Sequence, residues 1–134
     1  MDWMLELVVV PVSDVDMAKH FYGEQVGFGV DLDSQFGNGV RVVQLTPPGS
    51  ACSISIGSGL IDSEPGSLQG LQLVVSDIDA ARAELLEHGV EVGEIYHFED
   101  GAKASGKGGR WNSFFPFSDP DGNGWVVQER AAGE

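Results

Sequence analysis

The sequence predicts an α+β fold built from two tandem βαβββ modules, and three observations predict it. A helix-start pattern occurs twice: Val12-Ser13-Asp14-Val15-Asp16-Met17-Ala18-Lys19 lines up with Val75-Ser76-Asp77-Ile78-Asp79-Ala80-Ala81-Arg82. Each predicted helix then stops at a glycine, Gly27 in the first half and Gly89 in the second. Each half also ends on a glycine followed by a strand-like run, Gly49 before residues 50–56 and Gly122 before residues 123–129. A repeat at this period marks two copies of one supersecondary unit. Residues 4–57 and 69–130 form the modules, residues 58–68 connect them, and the whole chain is one domain.

Taken in order, residues 4–12 are an apolar, valine-rich run broken only by Glu6, read as a strand buried on both faces. Ser13 is placed to cap the first helix, with Asp16 three residues on in the manner of a capping box. Val15, Ala18, Phe21, Tyr22 and Val26 make its apolar face. In residues 28–33, Phe28, Val30 and Leu32 alternate with Gly29, Asp31 and Asp33, a half-exposed strand, and a turn follows at residues 35–39. Residues 40–46 and 51–57 are two further strands joined through Pro47-Pro48-Gly49-Ser50. In the second half, residues 91–98 are a strand and a long glycine-rich loop runs from Glu99 through Asn112. Aromatic and β-branched residues then flank Asp119-Pro120-Asp121-Gly122-Asn123-Gly124, a strand, tight turn and strand.

Composition bounds the function. A hydrophobic content of 42% supports a packed core. Seven basic against 21 acidic side chains give a net charge of −14, which disfavours nucleic acid and anionic membranes as partners. Cys52 is the only cysteine, so neither an intrachain disulfide nor a thiolate cluster is available, which fits a reducing cytoplasm. The apolar run near the N-terminus is far too short to span a bilayer.

The repeated helix starts, Phe21-Tyr22 ahead of Gly27-Phe28, and the Asp119-Pro120-Asp121-Gly122-Asn123 turn together resemble the vicinal-oxygen-chelate superfamily of glyoxalases, bleomycin-resistance proteins and dioxygenases. The resemblance spans nearly the whole chain. It implies a cupped mixed sheet with helices outside, and a homodimer. Metal-dependent relatives carry ligands at four strand positions, which correspond here to Leu7, Ser53, Gly70 and Val126. A two-residue slip that keeps the same face gives Val9, Ser55, Gln72 and Gln128. Zn, Fe, Mn or Ni needs imidazole or carboxylate donors, so no metal or other cofactor is expected. The turn also matches the first half of an EF-hand loop, but its twelfth position is Arg130 and strands flank it, so it is read as a turn.

Leu7, Val9, Ser53, Ser55, Gln72, Val126 and Gln128 are accordingly the expected cup lining, aliphatic walls with a few amides and hydroxyls that suit a small organic molecule. Trp111, among Lys103, Lys107 and Arg110, is the candidate stacking face of a lid. His97, near the end of a strand, is the one candidate general base; His20 and His88 lie on helices as surface residues. The expected function is metal-free binding or sequestration of an aromatic compound. The alternatives are a glyoxalase-like lyase, isomerase or dioxygenase using His97 or a divalent metal, and a purely structural interaction domain.

Overall fold

A computed structural model describes residues 1–134. The chain divides into two compact units, Met1–Leu68 with Asp119–Asn123, and Gln69–Ser118 with Gly124–Glu134.

The first unit contains β1 (Leu7–Val9), α1 (Val15–His20) continued by a π-helical segment (Phe21–Val26), β2 (Gly29–Gly37), β3 (Val40–Thr46) and β4 (Ser53–Ser58). Its sheet runs β1-β4-β3-β2, with β1 parallel to β4 and the other pairs antiparallel. One face of the sheet carries Val43 opposite Ile56 and Leu45 opposite Ile54, all buried together with Val10, Ala18, Phe21, Tyr22 and Phe28. Fully burying each such aliphatic side chain stabilises by roughly 1.5–3 kcal/mol, so this row holds the helix to the sheet.

The helix start differs from the sequence expectation. Asp14, not Ser13, is the N-cap, its carboxylate accepting from Met17 N. Ser13 instead donates from both its N–H and its hydroxyl to Asp121 (3.0 and 2.6 Å). Asp16, freed from any capping role, pairs with Arg41 at 2.8 Å. Gly27 does end the helical stretch, at φ 95°. The first strand is shorter than expected, and β2 is longer: it runs to Gly37 and turns at Asn38-Gly39, both with positive φ. Asn-Gly in that geometry suits the twist of a tight hairpin.

The second unit contains β5 (Leu71–Val75), α2 (Ile78–Glu87), β6 (Tyr96–Glu99), β7 (Ala102–Ser105), β8 (Phe114–Ser118) and β9 (Gly124–Glu129). Its sheet runs β5-β9-β8-β6-β7. Phe115, Phe117, Trp125 and Val127 line one face with Ile78, Leu85 and Val90, all buried, and Phe117 stacks on Trp125 at 5.9 Å. Asp77 caps α2 by accepting from Ala80 N, and Glu129 accepts from Ile78 N.

The expected loop from Glu99 to Asn112 is corrected here: it contains strand β7, and β6 and β7 form a hairpin. The signal was Asp100-Gly101, whose φ values of 50° and 81° match the tight turn that favours Asp-Gly. The strand expected over residues 91–98 begins only at Tyr96. Pro116 on the neighbouring β8 has no N–H, and Gly93 passes close over it, donating to its carbonyl at 2.8 Å. The second unit is thus βαβββ with one added edge strand.

The Asp119–Asn123 turn, although it joins β8 to β9, packs as part of the first unit. Asp119 Oδ1 accepts from Asp121 N and Asn123 N, while Oδ2 accepts from Asn123 Nδ2 and from the buried Tyr22 hydroxyl at 2.7 Å. Asn123, wholly buried, donates to Pro11 O and accepts from Leu68 N. No buried side-chain nitrogen or oxygen of the turn is left without a partner, as burial demands.

Candidate functional site

Each sheet has one face packed on its helix and one turned away from it. On the first sheet the outward face carries Leu7 opposite Ser53 and Val9 opposite Ser55, the parity expected from the sequence. Ser53 and Ser55 are buried. Ser53 Oγ lies 2.6 Å from Thr46 Oγ1 and accepts from Gln44 Nε2 at 3.4 Å, and Thr46 in turn donates to the Asp31 carboxylate. An ionised carboxylate only accepts, so the hydroxyl chain runs from Ser53 through Thr46 to Asp31. No imidazole enters it.

Sequence alternation did not find Asp31 here, because it grouped Asp31 with Asp33. A register shift between Val30 and Leu32 separates them. Asp33 is turned to the helix face, bound to Arg41 and Lys19 at 2.9 and 2.8 Å, which hold its carboxyl well below the usual range. Arg41 is correspondingly raised by Asp33 and then Asp16. Asp31 keeps the face opposite Val30 and reaches Thr46, while the bulge turns Asp33 to the other face.

On the second sheet the outward face carries Gln72 beside Val126 and Val74 beside Gln128. Gln72 Nε2 donates to Gln128 Oε1 at 2.8 Å, and Gln128 Nε2 donates to the Trp111 carbonyl at 2.7 Å. Next to them stands an aromatic cluster that the sequence reading missed. Phe114 is opposite both Gln128 and Tyr96. Tyr96 stacks on Phe114 at 5.5 Å, and Phe98 meets both rings edge-on at 5.7 and 5.5 Å. Phe98 is 42% exposed. Its signal is the alternation of Tyr96 and Phe98 with His97 and Glu99, which a loop beginning at Glu99 hides.

That alternation points His97 to the opposite face from Tyr96. Its Nδ1 donates to the Gly106 carbonyl at 2.7 Å and its Nε2 lies 3.1 Å from Glu99. The carbonyl bond and then the carboxylate raise its pKa above the ordinary histidine value. Both ring nitrogens are engaged, and the side chain pins the β6–β7 hairpin to the start of the following loop.

Trp111 sits at φ 59°, an uncommon conformation for a bulky residue. Its indole donates to Glu134 at 3.0 Å, and Asn112 next to it bonds both the N–H and the carbonyl of Phe98. Lys107 and Arg110 pair with Asp79 and Glu134. The segment is fastened at each of these points.

The residues at the four positions that carry metal ligands in metal-dependent relatives, Leu7, Ser53, Gly70 and Val126, are two alkyl groups, a hydroxyl and a glycine, which do not fit a divalent transition ion. No group of three or more His, Cys, Asp or Glu side chains is placed to hold a metal.

The sequence pattern of the glyoxalase/bleomycin resistance protein/dioxygenase superfamily matches residues 4–127. The chain belongs to that superfamily. Among solved structures, TnmS3, an antibiotic binding protein from Streptomyces sp. CB03234, is 36% identical and superimposes with a TM-score of 0.78, over 97% of this chain and 98% of that one. A glyoxalase/bleomycin resistance protein from the same Streptomyces is 38% identical, with a TM-score of 0.74 over 93% and 99% of the two chains. The uncharacterized protein YetH of Bacillus subtilis (strain 168) is 26% identical over 124 residues, 91% of this chain and 94% of its own length. Two mixed sheets of four and five strands with few helices are the fold of this superfamily, and they are present here.

Proposed function

We propose that this protein binds a small organic molecule with an aromatic ring system and sequesters or carries it without chemical change, using no metal or other cofactor. The observation that carries this reading is the Tyr96–Phe98–Phe114 cluster beside the Gln72–Gln128 amides: ring faces for stacking next to directional hydrogen-bonding groups. Likeness to an antibiotic binding protein at 36% identity supports it. The contacts proposed on the second sheet are Gln72, Trp111, Val126 and Gln128, with the aromatic cluster; on the first sheet, taken by itself, Leu7, Val9, Ser53 and Ser55 are the candidate contacts.

Half-exposed Trp111 is the reporter. Titrating fused-ring aromatic compounds should quench its fluorescence with micromolar dissociation constants, unchanged by EDTA, and Trp111→Phe should remove the response. Consumption of an α-ketoaldehyde–thiol adduct or a catechol after addition of Zn, Fe, Mn or Ni would overturn the reading in favour of a lyase, isomerase or dioxygenase. We further propose a cytoplasmic homodimer; the exposed Trp3, Met4 and Leu5 support association. Light scattering on a sizing column should give twice the chain mass. No helix is long and apolar enough to cross a membrane.

A further inference from the structure

The chain holds seven basic side chains among 21 acidic ones, so carboxylates outnumber cations three to one. Six of the cations have an oxygen partner. Lys19, Arg41, Arg82, Lys107 and Arg110 pair with carboxylates, and Arg130 donates to the Glu134 carbonyl. Lys103 is different: its ammonium meets no carboxylate and lies over the Tyr96 ring, 4.5 Å from the centroid.

Its position is set by the hairpin. Lys103 on β7 is opposite Phe98 on β6, so it shares the outward face with Phe98, Tyr96 and Phe114. An ammonium over a ring keeps its hydrogens available at the rim. The cluster supplies stacking surface, and Lys103 supplies positive charge at its edge.

We infer that the ligand taken on this face is a planar aromatic anion, a fused ring bearing a phenolate, carboxylate or sulfonate whose oxygen meets Lys103 while the ring lies against Phe98 and its neighbours. This rests on the binding reading above and adds the sign of the charge. It runs against the molecule's own field: at a net charge of −14 the rest of the surface disfavours anions, so a preference for the anion has to come from a local cation.

The test compares two probes of the same shape, 2-naphthalenesulfonate and 2-naphthalenemethanol, titrated into the full chain by calorimetry. Wild type should bind the sulfonate about three- to fivefold more tightly, the scale of one half-exposed charge pair. Lys103→Met should erase that difference while leaving the alcohol's affinity within about twofold, and Lys103→Arg should keep it. Phe98→Ala should weaken both probes alike, by about fivefold. Equal or weaker sulfonate binding by wild type, or a preference that survives Lys103→Met, overturns the inference and leaves the binding reading standing. Failure of both probes up to their solubility limits overturns the binding reading and the inference together. Lys103 is exposed on an edge strand, and an unchanged melting temperature confirms that its variants fold.

Discussion

Single residues carry two consequences that can be measured. Asp119 is 5% exposed and accepts from Tyr22, Asp121 and Asn123. Asp119→Ala removes the acceptor shared by the buried Tyr22 hydroxyl and Asn123 N and the part-buried Asp121 N, and should destabilise by about 3 kcal/mol in urea unfolding. Tyr22→Phe removes one donor and should destabilise by about 1–1.5 kcal/mol. His97 gives a pH dependence. Its folded pKa lies above its unfolded value, so its contribution to stability is full below the unfolded pKa and is lost as pH rises through the folded one. The melting-temperature advantage of wild type over His97→Gln should be largest near pH 6 and shrink by about pH 9. An advantage that grows with pH would mean that the ring is held neutral. The role of the turn's side chains was only partly legible beforehand. Turn-forming residue types announce the bend, but that Asp119 and Asn123 are buried hubs depends on Tyr22 and Pro11, about a hundred positions away.

At the level of elements, the helices, their glycine stops and the face parity of β1, β4, β5 and β9 were readable, because burial on one side imposes a period that the residues display. What was not readable came from exceptions to period. The bulge in β2 moves Asp31 off the row of Asp33, and nothing in the alternation marks where a residue is left unpaired. Strand β7 is hidden within residues 99–112, where four glycines suggest a loop and outweigh its one specific signal, Asp100-Gly101. Gly101→Val tests that turn. A β-branched residue at φ 81° costs roughly 1–2 kcal/mol. Amide exchange should accelerate in β7 and at Gly106 before it does in β9. Uniform acceleration throughout the sheet would show that the hairpin does not open as a separate step.

For the molecule as a whole, the repeat in the sequence invites the idea of two interchangeable halves, and the turn at Asp119–Asn123 removes it. The first compact unit is discontinuous: it borrows five residues from between two strands of the other. A polypeptide ending at Leu68 would lack the acceptor for the Tyr22 hydroxyl and the donor for the Pro11 carbonyl. Such a fragment should remain unfolded alone, and a synthetic duplicate of the first half should fare no better. Whatever ancestral doubling produced this architecture, the first copy has since come to rely on a piece of the second, so it cannot be inherited by itself.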